Sequence, residues 1–598
     1  ARMMTSFAET NENTLNTVIK IDQDLDFITK GLKINAFVNF KTWSSSYFDR
    51  SIAPYYYRIK SGSYDETDLE NTNYELELLN SNGSDYISQS AIGKSSDQTF
   101  ELQFNLNYAR QFGLHNVGAM LLYKQREYRS DVLPNRNQGL SGRLTYDYGQ
   151  RYLFEFNFGY NGSERFSSNK RWGFFPSIGG GWVVSNEKFF APLKKVISDM
   201  KLRVSYGLIG NDQIGDVNDR FFYLSNVNLN QTGDRSQVFG ENFLYGRPGV
   251  ETTRYANYDI GWEESRQLNL GLDMKIGGVN IIVEPYWQER SNILLDRTYI
   301  PATMGLSAKV KANTGKAKSH GVDVSVDYNK FFRSGLWTTL RGNFTYATNE
   351  ITVYDEPNYP ANEYYRSRLG YPFAQTWGYV AERLFVDDEE VANSPSQKFG
   401  DIPVAAGDIK YRDINGDGQI TEADKIPIGF PTTPEINYGF GGTIGYKNFD
   451  LSLFFQGSAR SSIFIDAGAI SPFVMKTDQP GNQNGLLRVV ANDHWSEDNR
   501  NLYAFWPRLS DRANENNTQV STWWMRNGAM LRLKSLELGY NLPEKAARKI
   551  GMTKLRVYVN ASNLFVISNF KLWDPEMGAN GLGYPLQRVF NIGLSIGL

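Results

Sequence analysis

The sequence predicts an all-β chain, a large antiparallel transmembrane β-barrel, from three observations. Hydropathy alternates with a period of two, the alternating segments run to about 9–13 residues, and short and long connectors alternate along the chain. In Phe100-Glu101-Leu102-Gln103-Phe104-Asn105-Leu106-Asn107-Tyr108 every even position is apolar and every odd one polar. Tyr152 to Tyr160, Leu268 to Ile276 and Phe590 to Leu598 repeat the pattern. Successive strand side chains point to opposite faces, so each segment has one apolar and one polar face. The lengths exceed the usual globular strand of ~5–6 residues and approach what a tilted strand needs to cross a bilayer.

In chain order, strands are expected near 14–28, 31–42, 98–109, 113–125, 138–149, 150–161, 173–185, 199–210 and 265–276. They continue near 279–290, 318–330, 334–348, 434–446, 448–458, 529–542, 553–566 and 587–598. On one side the connectors are tight: Thr29-Lys30, Gly149, Gly277-Gly278, Phe331-Phe332-Arg333 and Lys447, with longer members at 186–197 and 543–552. On the other side lie 43–97, 126–137, 162–172, 211–264, 291–317, 349–433, 459–528 and 567–586. Short periplasmic turns and long external loops produce this asymmetry in an outer-membrane barrel. Residues 1–598 thus read as one barrel domain with large extracellular loops near 43–97, 211–264, 349–433 and 459–528. Tyr108, Tyr123, Tyr146, Tyr148, Tyr160, Trp287, Trp337, Tyr346, Tyr446 and Tyr540 lie near strand ends, where amphipathic rings suit the membrane–water boundary. About seventeen strands is an odd number, and the first runs downward from the external side. An open edge in hydrocarbon would leave backbone groups unpaired, so further strands are expected upstream of Ala1.

Composition narrows the function. The hydrophobic share is 41%, which argues against a buried core of the size usual for 598 residues. With no Cys, disulfides, zinc–thiolate sites, iron–sulfur clusters and thiol nucleophiles are excluded. A formal net charge of −2 and a pI of about 6.2 argue against a nucleic-acid footprint or a polybasic membrane patch. No run of 18 apolar residues occurs, so no transmembrane helix is expected.

Several blocks carry a family resemblance. Ser521-Thr522-Trp523-Trp524-Met525-Arg526-Asn527-Gly528-Ala529-Met530-Leu531-Arg532-Leu533-Lys534, continuing through Leu538-Gly539-Tyr540-Asn541-Leu542-Pro543, resembles a block of the SusC/RagA-type TonB-dependent transporters. Asn563-Leu564-Phe565, Asp574-Pro575-Glu576 and Tyr584-Pro585-Leu586-Gln587-Arg588 are similar to that family as well. Upstream, so are Lys201 to Gly207, Trp262-Glu263-Glu264 and Gly407-Asp408-Ile409-Lys410-Tyr411. The resemblance implies a barrel of about 22 strands with an N-terminal plug, neither plug nor TonB-contacting segment being in this chain. It implies residence in the outer membrane of a Gram-negative bacterium. It further implies a SusD-like surface lipoprotein acting as a lid, energy from the TonB–ExbB–ExbD complex, and import of a large nutrient, glycan or oligopeptide. The rival from another class is a secreted calcium-binding β-protein that serves as a glycan-binding or adhesive module.

The sharpest chemical motif runs from Asp413 to Asp424. Asp413, Asn415 and Asp417 place oxygens at loop positions 1, 3 and 5, Gly418 gives the sharp turn, the Gln419 carbonyl fits position 7 and Asp424 fills position 12. Hard oxygens at this spacing suit a structural Ca²⁺; the bland reading is an Asx- and Gly-rich turn without metal. The three histidines, His115, His320 and His494, are scattered, and no HExxH or G-x-S-x-G motif occurs, so no enzyme is expected. Acidic pairs Glu263-Glu264, Asp387-Asp388 and Glu389-Glu390 read as solvated loop surface, and Gly439, Gly441, Gly442 and Gly445 as close backbone approach in a barrel wall. In segment 186–200, Phe189, Phe190, Leu193, Val196, Ile197 and Met200 have helical spacing beside Lys194-Lys195. An amphipathic turn on the periplasmic rim is expected there, with partner docking as the alternative. Tyr364, Tyr365, Trp377, Trp495, Trp506, Trp523 and Trp524 leave two readings open: stacking on substrate, or packing loop against loop and seating the lid. No substrate residue follows from the sequence.

Overall fold

A computed structural model describes residues 6–61, 63, 74–215, 219–473 and 485–597. Parts of the loops expected near 43–97, 211–264 and 459–528, and the last residue of the strand expected at 587–598, lie outside the described residues. All seventeen expected long strands are present among those described. They are β1 (Phe7–Asp24), β2 (Leu32–Ser51), β3 (Gly93–Phe112), β4 (His115–Arg129), β5 (Asn135–Tyr148), β6 (Tyr152–Ser163), β7 (Trp172–Val183), β8 (Ile197–Asn211) and β9 (Glu263–Ile276). Then follow β10 (Val279–Asp296), β11 (Lys311–Phe331), β12 (Leu336–Val353), β13 (Ile436–Tyr446), β14 (Phe449–Ala459), β15 (Met530–Asn541), β16 (Lys554–Ser568) and β17 (Val589–Gly597).

The chain divides into two compact units. In the first (1–145, 157–174 and 218–222), β1 to β4 form consecutive antiparallel hairpins. Ile19, Val38 and Leu102 share one cross-strand row on the apolar face. On the opposite face Asn35 donates to Asp22, and Asn107 donates to Asn35 Oδ1 at 2.9 Å. Alternation thus separates two environments across a single layer.

The second unit (146–156, 175–217 and 223–598) holds an antiparallel ladder running in sequence order from β7 to β17. Leu202 pairs with Leu272 and Tyr206 with Leu268; Leu272 and Leu268 pair in turn with Val283 and Trp287 on the apolar face. The polar face carries ion triads. Arg203 binds Asp273 at 2.6 Å and Glu284 at 2.9 Å, and Arg556 binds Asp450 at 2.6 Å and Glu537 at 2.7 Å. Glycines of β13 stand where the strand is squeezed between neighbours. A Cβ on Gly441 would come within 2.2 Å of the Leu453 carbonyl, and one on Gly442 within 2.1 Å of the Thr339 carbonyl. The expected close backbone approach is therefore present.

A hydrophobic core lies in the loops instead of beneath the strands. Connectors 354–435, 460–529 and 569–588 bury Tyr379, Leu384, Ile409, Tyr411, Trp506 and Trp524 in one cluster. Short pairs tie them: Ala381–Leu384 with Ile409–Tyr411, Thr376–Gly378 with Ile426–Ile428, and Ser462–Phe464 with Met525–Asn527. The tight connector between β7 and β8 departs from its helical spacing: it makes three separate 3-10 turns, Val184–Asn186, Lys188–Phe190 and Leu193–Lys195. Pro192 has no N–H to continue a helix from the turn before it.

Candidate functional site in the long loops

The loop core is organised around Asp408, which is fully buried. Its carboxylate accepts from Arg508 Nε at 2.8 Å and a second guanidinium nitrogen at 3.0 Å, from Asn514 Nδ2 at 3.1 Å and from Asn517 Nδ2 at 2.8 Å. The Ala405 amide adds a bond at 3.0 Å. A buried charge is tolerated only when paired and hydrogen-bonded, and every lone pair here has a donor. The clamp joins two connectors about a hundred residues apart. Asn516 and Asn517 extend it: Tyr411 Oη donates to the Asn516 carbonyl at 2.7 Å, and Trp524 Nε1 to the Asn517 carbonyl at 2.8 Å. Gly407, at φ +80°, lets the Trp495 ring close over the backbone; a Cβ there would sit 2.2 Å from the indole. Asp408 lies in a block already marked by its resemblance, but Arg508, Asn514, Asn516 and Asn517 carry no periodic signal and escaped the sequence reading.

Asp387, Asp388 and Glu389 are exposed, as expected of solvated loop surface, but a second cluster corrects that reading for Glu390. Glu390 accepts from Arg383 at 2.6 and 2.9 Å, from Lys410 at 2.9 Å and from the Val386 amide at 2.9 Å. Burial alone would raise its pKa, but the bonds from Arg383, Val386 and Lys410 outweigh this and hold it at about 2, against an ordinary 4.5. Glu263 is likewise buried, accepting from Asn211 at 3.0 Å and pairing with Arg290. A carboxylate whose folded pKa is depressed stabilises the fold above its unfolded pKa and loses that contribution as pH falls through the folded one. Protease protection of 381–411 is therefore expected to weaken from about pH 4.5 towards pH 2, by up to about 3 kcal/mol, with the Glu390→Gln variant lacking this step.

The Asp413–Asp424 loop closes on its own amides. Asp413 accepts from Gly416 and Gly418 at 2.7 and 2.8 Å, Asn415 Oδ1 from Asp417 at 3.1 Å, and Asp417 from Gln419 at 2.8 Å. Asp424, fully buried, accepts from Ile414 at 2.8 Å and Thr421 at 2.7 Å, completing a capping box. Among the described residues no three His, Cys, Asp or Glu side chains are drawn together as a metal cluster. The donor set still fits a hard cation in kind: each position is an oxygen, and the carboxylate oxygens of Asp413 and Asp417, each accepting one bond, keep a second lone pair, whereas Asp424 Oδ1 already accepts from both Ile414 and Asn415.

The seven loop aromatics separate sharply. Trp495, Trp506 and Trp524 are 5%, 4% and 1% exposed, so they pack loop against loop. Trp523 donates to the Phe505 carbonyl at 3.3 Å, Trp377 to the Tyr365 carbonyl at 3.2 Å, and Tyr365 to the Ala423 carbonyl at 2.7 Å. Tyr364 alone among them is fully open, at 63%. The histidines stay apart: His320 faces Trp287 across β10–β11, and His494 Nδ1 meets the Val490 carbonyl at 2.9 Å.

A two-faced wall of long antiparallel strands, whose long connectors fold into a packed mass of their own, defines a membrane β-barrel protein. The chain belongs to the family described as TonB dependent receptor-like, beta-barrel, which it matches over residues 5–564. It is 27% identical over 486 residues to the TonB-dependent receptor SusC of Bacteroides thetaiotaomicron, covering 79% of this chain and 45% of that receptor. To the TonB-dependent receptor P3 of Formosa agariphila it is 26% identical over 481 residues, covering 76% of this chain and 45% of that receptor. The chain thus spans about half the length of the curated relatives it matches. Its fold is that of the solved RagAB peptide transporter, at TM-score 0.72 and 19% identity, covering 99% of this chain and 62% of that one. The RagAB peptide importer in its closed-closed state gives a TM-score of 0.71 at 20% identity, with 99% and 63% covered. Proteins of this family reside in the outer membrane of Gram-negative bacteria and are transporters, not enzymes. This sets aside the secreted module: the apolar face of the wall meets lipid.

Proposed function

We propose that the chain is the barrel wall and external loop mass of a SusC-like importer, which takes up a large nutrient, glycan or oligopeptide, through the outer membrane. The reading rests on the family match joined to a loop mass with its own core, which gives the external mouth a firm rim. A SusD-like lipoprotein would close over that rim, and TonB–ExbB–ExbD would supply the energy through a segment outside this chain. The likeness to RagAB, a peptide importer, supports an oligopeptide as the first cargo to try. A strain deleted for the gene and supplied with oligopeptides or polysaccharide as sole nutrient tests this. TonB-dependent uptake of one of them, lost on deletion and restored by the full gene, is expected; uptake of both unchanged by deletion would overturn it.

The Asp413–Asp424 loop is read as a structural Ca²⁺ site, held by the side chains of Asp413, Asn415, Asp417 and Asp424 with the Gln419 carbonyl. Because backbone amides already close the loop, its shape is expected to survive chelation. Calorimetric titration should show Ca²⁺ uptake that the Asp413→Ala/Asp417→Ala variant loses; no uptake at millimolar Ca²⁺ contradicts the site.

A further inference from the structure

The β7–β8 connector has a feature that import does not use. It is pinned to the turns on either side: the Val183 amide donates to the Arg151 carbonyl at 2.8 Å, and Asn186 Nδ2 to the Gln150 carbonyl at 2.7 Å. At its other end the Gly277 amide donates to the Val196 carbonyl at 3.3 Å. Phe190 turns inward and is 3% exposed, whereas Phe189, Leu193 and Val196 are 64%, 52% and 63% exposed. A segment held this firmly would bury such side chains if water were their natural surroundings.

Its position says what surrounds them. Trp182 pairs with Leu202 on the apolar face of the wall, and the Phe189 ring lies 6.3 Å from the Trp182 ring. Phe189 therefore continues the lipid-facing surface past the end of the strands, and Leu193 and Val196 are exposed on the same connector. Lys188, Lys194 and Lys195 are exposed on the same connector, and among the described residues no ion pair holds any of them. The connector's one carboxylate, Glu187, is already occupied: it accepts from Trp182 Nε1 at 3.2 Å and pairs with Arg151 at 3.5 Å. Exposed apolar side chains beside the lipid-facing wall, an aromatic pair at its edge and three cations without an ion pair among the described residues match the phosphate layer of a leaflet.

We propose that connector 184–196 is an interfacial foot: Phe189, Leu193 and Val196 lie in the acyl–headgroup boundary of the periplasmic leaflet, and Lys188, Lys194 and Lys195 bind the phosphates of anionic phospholipid. The placement on the periplasmic side rests on the barrel reading above. The foot's rigid ties give it a fixed height, so it fixes the depth at which the wall sits.

Because the sequence has no Cys, a single spin label introduced by Leu193→Cys reports unambiguously on the foot of the full chain in proteoliposomes. The label is expected to be relaxed by oxygen more strongly than by a water-soluble nickel complex, opposite to a label at the exposed Lys549→Cys. In parallel, the Lys188→Gln/Lys194→Gln/Lys195→Gln variant, extracted from mixed phosphatidylglycerol–phosphatidylcholine vesicles, is expected to retain at least about threefold less phosphatidylglycerol, with phosphatidylcholine unchanged. A Leu193 label exposed to nickel, a label shielded from both reagents as by a protein partner, or unchanged phosphatidylglycerol retention would each overturn the foot. Heat-modifiable migration of the same samples checks the barrel separately: a failed foot leaves it intact, whereas a failed barrel abolishes it.

Discussion

Asp408→Ala is expected to destabilise the loop core by about 3–5 kcal/mol, the range seen when one partner of a buried charge pair is removed. The side chain is fully buried and is the common acceptor for Arg508, Asn514, Asn517 and the Ala405 amide. Truncation leaves a guanidinium and two amides facing a cavity with no acceptor, and each unsatisfied group costs desolvation energy. Limited proteolysis in detergent micelles reads this directly. Cleavage within 377–411 and 505–524 should accelerate about a hundredfold or more, since opening of the loop core then governs the rate. The wall should keep its heat-modifiable migration, because Asp408 bonds only within the loops. Asp408→Asn keeps an acceptor and most of the shape, so an intermediate effect is expected. A change below about 1 kcal/mol would contradict the clamp.

Trp524→Ala is expected to cost a similar ~3–5 kcal/mol, by loss of a large ring and the cavity left behind. The ring is 1% exposed, meets Trp506 at 5.2 Å between centroids and Phe505 edge-on at 5.9 Å, and donates to the Asn517 carbonyl. This also decides between the two readings of the loop aromatics. If Trp524 were a stacking platform, Trp524→Phe would weaken substrate binding and leave the loops as resistant to protease as before. The packed position predicts the reverse: loop protection falls, and any change in binding follows from it. Tyr364→Ala, at an open ring, should alter loop stability by no more than about 0.5 kcal/mol, so the pair of variants separates packing from surface.

The strands were legible because a bilayer-facing wall imposes a strict two-residue period, and every expected strand was found. Their ends were not. β1 begins at Phe7 instead of near 14, and β11 at Lys311 instead of near 318. Beyond the apolar band both faces are polar, as in the Asn11, Ser46 and Lys94 row, so the hydrogen-bonded ladder continues while the hydropathy period vanishes. The loop core was hidden for a different reason. Asp408 and Asn517 are 109 residues apart, and neither a buried Asp nor a buried Asn differs in sequence from the solvated kind. The same ambiguity made Glu390 look like surface and the tryptophans look like candidate platforms. The helical spacing in 186–200 recorded which side chains share a side, and the expected amphipathic turn is built there as three separate 3-10 turns around Pro192.

The chain carries two independently ordered layers, a membrane wall and a folded loop mass above it. Hydrogen exchange on the full chain in lipid nanodiscs tests it most directly. Two slow sets of amides are expected: one along the middles of β8 to β16, and one at 379–384, 409–411 and 524, the second collapsing in Asp408→Ala while the first persists. Exchange of the loop set at the rate of unprotected backbone in the unmutated protein would contradict the account.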